Sequence, residues 1–421
     1  MNAILDANDK AMLAQANPGA VINALARFRT LACPPWLPAA YTYQDGALPK
    51  GAAAFATVTA ADMLEAISVR GPLHAIDGWG YLGRSFSALM SGQAHAARHL
   101  CYYAELRAAL SILASSGVGV FNRRNAVVDA AGGIHILSDF ATHDMTWLAL
   151  AEWSALPSSM ERLVKPVQLA GASFLEPFRE FFPAQSLTAA RELMQNLGFD
   201  LRQGAEDRVQ RNWSSYQPTA LGPIVTSPAE DAAFLRMFWN ACRPNGIELE
   251  RHLLRRVLET QVRTHGLELS DYEHSYARLQ DGTKAVISFD FLTRVDESVD
   301  HDFLLHVANS SLPAPPYAMM CRAGLLLKLA TGMAEENLRA AGVQPSLQFS
   351  NWWQEFGAQH GLWQPGQPPE NTADLWDDID LALEDGALAP TGHRHEWISG
   401  LGGNAMRMCQ TERAALWGLF Q

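Results

Sequence analysis

The amino-acid sequence predicts a mostly α, two-domain helical protein with a small β-hairpin insertion in the first domain. Three observations carry this. A chain of 421 residues, 48% hydrophobic and 18% charged, holds more apolar surface than one ordinary core buries and too little charge for disorder over most of its length. Between its glycine and proline punctuation the chain repeats apolar residues at intervals of three and four, the helical period. The formal net charge of −12 is uneven: residues 1–221 carry 17 Lys and Arg against 18 Asp and Glu, whereas residues 222–421 carry 15 against 26. The domains are therefore expected at 1–222 and at 223–421, the second acidic.

In chain order, Asn17-Pro18-Gly19 opens an apolar-periodic run to Phe28, which stops before the proline-dense loop Cys33-Pro34-Pro35-Trp36-Leu37-Pro38. Thr59 to Asp62 starts a short helix, and Gly71-Pro72 is expected to end it. Two long helices follow at about 73–91 and 92–116, joined tightly. The second places His99, Tyr103, Leu106, Leu110 and Leu113 on one stripe, with Arg98, Tyr102, Glu105 and Ile112 on its flank. After Gly117, β-branched runs on either side of Ala-Ala-Gly132-Gly133 predict the hairpin, near 118–137. Helices resume at about 143–154 and 186–197 and lead to Arg211–Pro218.

Ser227-Pro228-Ala229-Glu230 combines an N-cap serine, proline at the first helical position and a capping-box glutamate, so the boundary falls just before it. Helices are expected at about 247–265, 271–280, 301–308, 317–331 and 334–341, from Ser350, and from Asn371 to Asp385. Alternation in Lys284-Ala-Val286-Ile-Ser288-Phe-Asp290-Phe-Leu292 predicts one short strand near 284–292.

Composition also excludes. The longest apolar stretches are broken by charges, so no membrane span is expected. Asp6 and Asp9 stand where a signal peptide would be basic, which points to the cytoplasm. Five scattered cysteines without a C-x-x-C pair read as reduced packing residues. Neither a Rossmann glycine run nor an H-E-x-x-H or G-x-S-x-G motif occurs, and no cofactor is expected. The clusters Asp139-x-x-x-His143-Asp144 and His393-x-His395-Glu396 each supply fewer convergent ligands than a metal site needs, so no metal is assigned.

The stretch His95-Ala-Ala-Arg98-His99-Leu-Cys-Tyr102-Tyr103-Ala-Glu105-Leu-Arg107, with Arg211-Asn212-x-x-Ser215-Tyr216-x-Pro218 about a hundred residues later, resembles the HEPN-like helical proteins of prokaryotic defence and toxin loci. The resemblance covers about 73–220. It implies a component of an anti-phage assembly, partnered by other subunits, that binds RNA or a nucleotide. In that superfamily an arginine and a histidine four to six residues on cleave RNA without metal. Carried over, Arg211 would stabilise phosphate charge and His99 or Glu105 would transfer the proton, while Tyr216 stands where the histidine would be.

Local basic features suggest where nucleic acid would lie: Arg98, Arg123 and Arg124 in the first half, and Arg255 and Arg256 on the helix at 247–265. The competing reading is a non-catalytic scaffold that binds a protein partner through the C-terminal half. Trp352, Trp353, Trp363, Trp376, Trp397 and Trp417 beside an acidic helix suit such a partner.

Overall fold

The computed structural model describes residues 4–30, 58–157, 159–169, 171–182, 189–201, 203–216, 224–244, 246–266, 268–294, 301–311, 314–386 and 393–419. Helices α1 (Ala7–Leu13) and α2 (Pro18–Leu25) precede the central antiparallel pair, α3 (Ala60–Met90) and α4 (Ala94–Ser115). Strands β1 (Val118–Val120), β2 (Asn125–Val128) and β3 (Ile134–Ile136) form an antiparallel sheet in that order. Helices α5 (Thr142–Trp153) and α6 (Ser159–Val164), the ribbon of β4 (Gln168–Leu169) with β5 (Ala172–Ser173), and α7 (Leu175–Phe181), α8 (Ala190–Asn196) and α9 (Gln203–Tyr216) follow.

The remaining described chain contains helices and loops and no strand. It runs through α10 (Pro228–Ala241), α11 (Glu248–His265), α12 (Glu273–Arg278), α13 (Asp281–Val286), α14 (Phe289–Thr293) and α15 (Asp302–Val307). Then come the long α16 (Pro316–Ala340), α17 (Pro345–Gln348), α18 (Ser350–Gln359), α19 (Leu375–Gly386), α20 (Arg394–Leu401), α21 (Gly403–Met408) and α22 (Glu412–Leu419). The protein is mostly α, as its periodicity predicts. Among the described residues no helix is long and apolar enough to cross a membrane.

Gly71-Pro72 does not end a helix. Proline cannot donate to the Ser68 carbonyl, at a cost of about 3 kcal/mol, yet α3 continues through it. Tertiary packing holds α4 against α3 at this point: the Ser111 hydroxyl of α4 donates to the Gly71 carbonyl at 2.6 Å. A Cβ on Gly71 would lie 2.7 Å from Ser115 Oγ, so glycine lets the two helices close. The turn between them is a Schellman cap, with Gly92 at φ +74° and Gln93 N donating to Ala88 O.

The expected hairpin is β2–β3, with Val128 opposite Ile134. The Asp129 carboxylate organises its turn, accepting from Ala131 N, Gly133 N and His135 Nε2. Strand β1 adds a third member whose register pairs Val118 with Val127.

The strand expected near 284–292 is instead α13 and α14, with Ile287 extended between them. Ser288 Oγ accepts from Phe291 N and starts α14. The buried residues Ile287, Phe291 and Leu292 are spaced for a short helix. Ser227 caps α10 with Glu230 closing the box. The domain boundary expected at 222 and 223 lies outside the described residues. Helix α16 of the second half packs along α3 and α4 of the first, and one buried apolar cluster runs from Leu5 to Leu419.

Candidate anion-binding cleft

Helices α3 and α4 each turn a polar stripe toward the sheet. On α3 the spacing of four and three residues puts Arg70, His74 and Asp77 along one face, and on α4 the same period aligns Tyr103 with Arg107. The β1–β2 loop closes over them with Asn122, Arg123 and Arg124, and α5 contributes His143. Between these walls lies a cleft of about 1190 Å³, with Leu106, Leu110, Val120 and Phe121 as its apolar lining.

Its polar groups are dominated by donors. Arg70 is nearly buried, with its guanidinium 4.6 Å from the centre of the Phe121 ring. Arg107 Nη1 donates to His74 Nδ1 at 2.9 Å and lies 3.6 Å from Asp77 Oδ2. A guanidinium can only donate, so the His74 ring accepts at Nδ1 and carries its proton on Nε2. Burial, then Arg107, then Arg70 hold His74 well below the usual histidine range, and it is neutral near pH 7.

His143 is oriented in a similar way. The Trp147 indole, which can only donate, reaches the Tyr102 hydroxyl at 3.3 Å, and that hydroxyl lies 2.8 Å from His143 Nδ1. This direction of bonding favours the His143 tautomer with its proton on Nε2. The carboxylate on the cleft lining is Asp139, at the exposed rim 3.8 Å from Arg123.

Asn122 and Arg123 both adopt positive φ, +50° and +69°. Asparagine tolerates that region, whereas an arginine there costs on the order of 1–2 kcal/mol relative to glycine. The loop thus keeps a basic side chain at a position where backbone energetics favour none.

The structure divides the residues singled out from sequence. Arg123 and Arg124 line the cleft. Arg98 is 0% exposed and Arg255 1% exposed, the latter donating to the Arg294 carbonyl at 2.8 Å, so neither faces a solvent-borne phosphate. Arg256 lies 3.8 Å from Glu259, which also pairs with Arg263, so the basic face of α11 is satisfied largely within its own helix. His99 Nδ1 is 2.5 Å from Ser215 Oγ of α9, and its ring packs on the edge of Tyr103. Helix α9 is thereby brought to the Tyr103 end of the cleft.

Glu105 is buried, and its carboxylate faces Arg322. Tyr216 is 77% exposed at the end of α9. Arg211 falls within α9, but its side chain lies outside the described residues. His99 and α9 therefore meet, while the Glu105 carboxylate faces Arg322 of α16. Among the described residues no group of three or more potential metal ligands converges.

Arg70, His74 and Arg107 were missed in the sequence. Their signal is the i, i+4, i+7 spacing of Arg70, His74 and Asp77, which ending the helix at Gly71-Pro72 conceals. Comparison with protein-family models, with curated proteins and with solved structures finds no match.

Proposed function

We propose that the cleft between α3, α4 and the β1–β2 loop binds the phosphate groups of RNA or a nucleotide, and that the protein works in the cytoplasm as a HEPN-like subunit of a bacterial defence assembly. The observation that carries the reading is the concentration of donors: four arginines and two Nδ1-engaged histidines line one cleft of a chain whose formal net charge is −12. Phosphate oxygens only accept, and multidentate guanidinium contacts are the usual way of holding them. The apolar floor and the Tyr103 ring suit a base or ribose beside the phosphate.

Binding is what the cleft supports; beside α9 the acid–base candidate is His99, held at Nδ1 by Ser215, while the Glu105 carboxylate faces Arg322. The scaffold reading loses much of its motive, because Trp353, Trp376, Trp397 and Trp417 are buried in the core.

Photo-crosslinking with a 4-thiouridine-containing oligoribonucleotide tests the assignment. Crosslinked peptides are expected from the segments around Tyr103, Arg123 and His143. Crosslinks confined to the second half, or none above a non-binding control protein, would remove it.

A further inference from the structure

Resting on the phosphate reading of the cleft, we infer that His74 is a positioning residue: as a neutral acceptor it aims the Arg107 guanidinium at the ligand, with Asp77 steadying the same group from outside. Three observations converge on it. His74 and Asp77 are three residues apart on one face of α3, and both approach Nη1 of Arg107 across the α3–α4 interface, at 2.9 and 3.6 Å. His74 is 4% exposed, so its ring is fixed by packing, while Arg107 reaches the cleft. The two helices approach closely beside the contact, where a Cβ on Gly78 would lie 3.1 Å from Arg107 Cβ.

The chemistry of the pair is asymmetric. An arginine side chain has several rotatable bonds, and freezing it on ligand binding costs entropy that a pre-bonded guanidinium has already lost. A neutral imidazole accepts through Nδ1 without adding a second negative charge to that of the solvent-exposed Asp77, so Arg107 keeps more of its positive charge for the ligand. The charged and titratable groups around His74 are Arg70 and Asp77 on its own helix, Tyr103 and Arg107 on α4, and Arg123, Arg124, Asp139 and His143 across the cleft. Burial first, and then the two arginines, keep the ring neutral, so the acceptor persists through the physiological pH range.

The test uses the full chain and a rhodamine-labelled decaribonucleotide with no terminal phosphate, so that neither the label nor the diesters titrate between pH 6 and 8. Affinity is read by fluorescence anisotropy. His74→Asn puts an amide oxygen near the place of Nδ1 and should bind within about threefold of wild type, whereas His74→Leu should lose about tenfold, the worth of one charge-assisted hydrogen bond.

Arg107→Met should lose at least as much, and the double variant no more than Arg107→Met alone, since both changes remove one oriented guanidinium. Additive losses, or a His74→Leu variant that binds like wild type, would overturn the positioning role while leaving the phosphate reading standing. If His74→Leu does not fold, the pH profile decides. Wild-type affinity should be flat from pH 8 to 6, and a change on acidification that His74→Asn abolishes would show the ring titrating and refute the neutral acceptor. A wild-type chain that ignores the probe at every pH removes the phosphate reading and the inference together.

Discussion

The carboxylate of Glu105 and the guanidinium of Arg322 lie 3.7 Å apart, with side chains 2% and 1% exposed, at the face where α4 of the first half packs on α16 of the second. Arg322 also donates to the Asn309 carbonyl at 3.1 Å. Two charges so placed stabilise little on balance, since their attraction is offset by desolvation, but each makes the other's removal costly. Arg322→Met should therefore destabilise the fold by about 3–5 kcal/mol, and adding Glu105→Leu should recover much of the loss. Chemical denaturation of the single and double variants checks this. A single variant as stable as wild type would show that the pair is not sealed.

Arg123 supplies a prediction of opposite sign. Glycine suits its φ of +69° better than arginine, so Arg123→Gly should leave the melting temperature unchanged or raise it, by up to about 1 kcal/mol in stability, while weakening binding to the oligoribonucleotide. Loss of stability with unchanged binding would make the side chain structural.

Close helix packing makes a third. A Cβ on Gly83 of α3 would collide with the main-chain carbonyl of Cys409, which no rotamer change can move aside. Gly83→Ala should cost about 3 kcal/mol, the upper end for overpacking. Gly400 faces open space, and alanine there should shift the melting temperature far less. Equal effects at the two sites would count against this packing.

Acid should destabilise the protein through its histidines. His252 is held down to about 4 by burial first, then by His301 and Arg251, and His74, His301 and His306 are also lowered, each by burial first. These rings are neutral in the fold while the unfolded chain takes up protons near pH 6.5, so stability is complete above that pH and falls as pH drops below it. The melting temperature should decline from pH 7.5 to 5, and His252→Phe should shrink the decline. An identical decline in that variant would assign the effect elsewhere.

How much of this was legible in the sequence depends on the range of the interactions. The capping box at Ser227 and Glu230 and the β2–β3 turn at Asp129 are local, and both could be read directly. The passage of α3 through Pro72 could not, because the packing around it is long-range: Ser111, forty residues from Gly71, bonds the Gly71 carbonyl. The strand read at 284–292 failed because a short apolar run fits either period, and Ser288 as a cap was the signal that distinguished them.

The cleft was half legible for the same reason. Arg123-Arg124 stands out as an adjacent pair, whereas Arg70, His74 and Arg107 become one site only when α3 and α4 pack. Arg98 and Arg255 show the converse error: a basic residue on a helix reads as a ligand group until packing buries it.

The central claim is that phosphate binds at the arginine cleft, and the salt dependence of RNA affinity tests it most directly. Four arginines on a single strand give an expected slope of log K against log salt of roughly −3, at about 0.7 per phosphate contact. The variant combining Arg107→Gln, Arg123→Gln and Arg124→Gln should bind far more weakly, with the slope reduced to a magnitude below about 1. Wild-type affinity that does not respond to salt, or a triple variant that keeps both affinity and slope, would contradict the account.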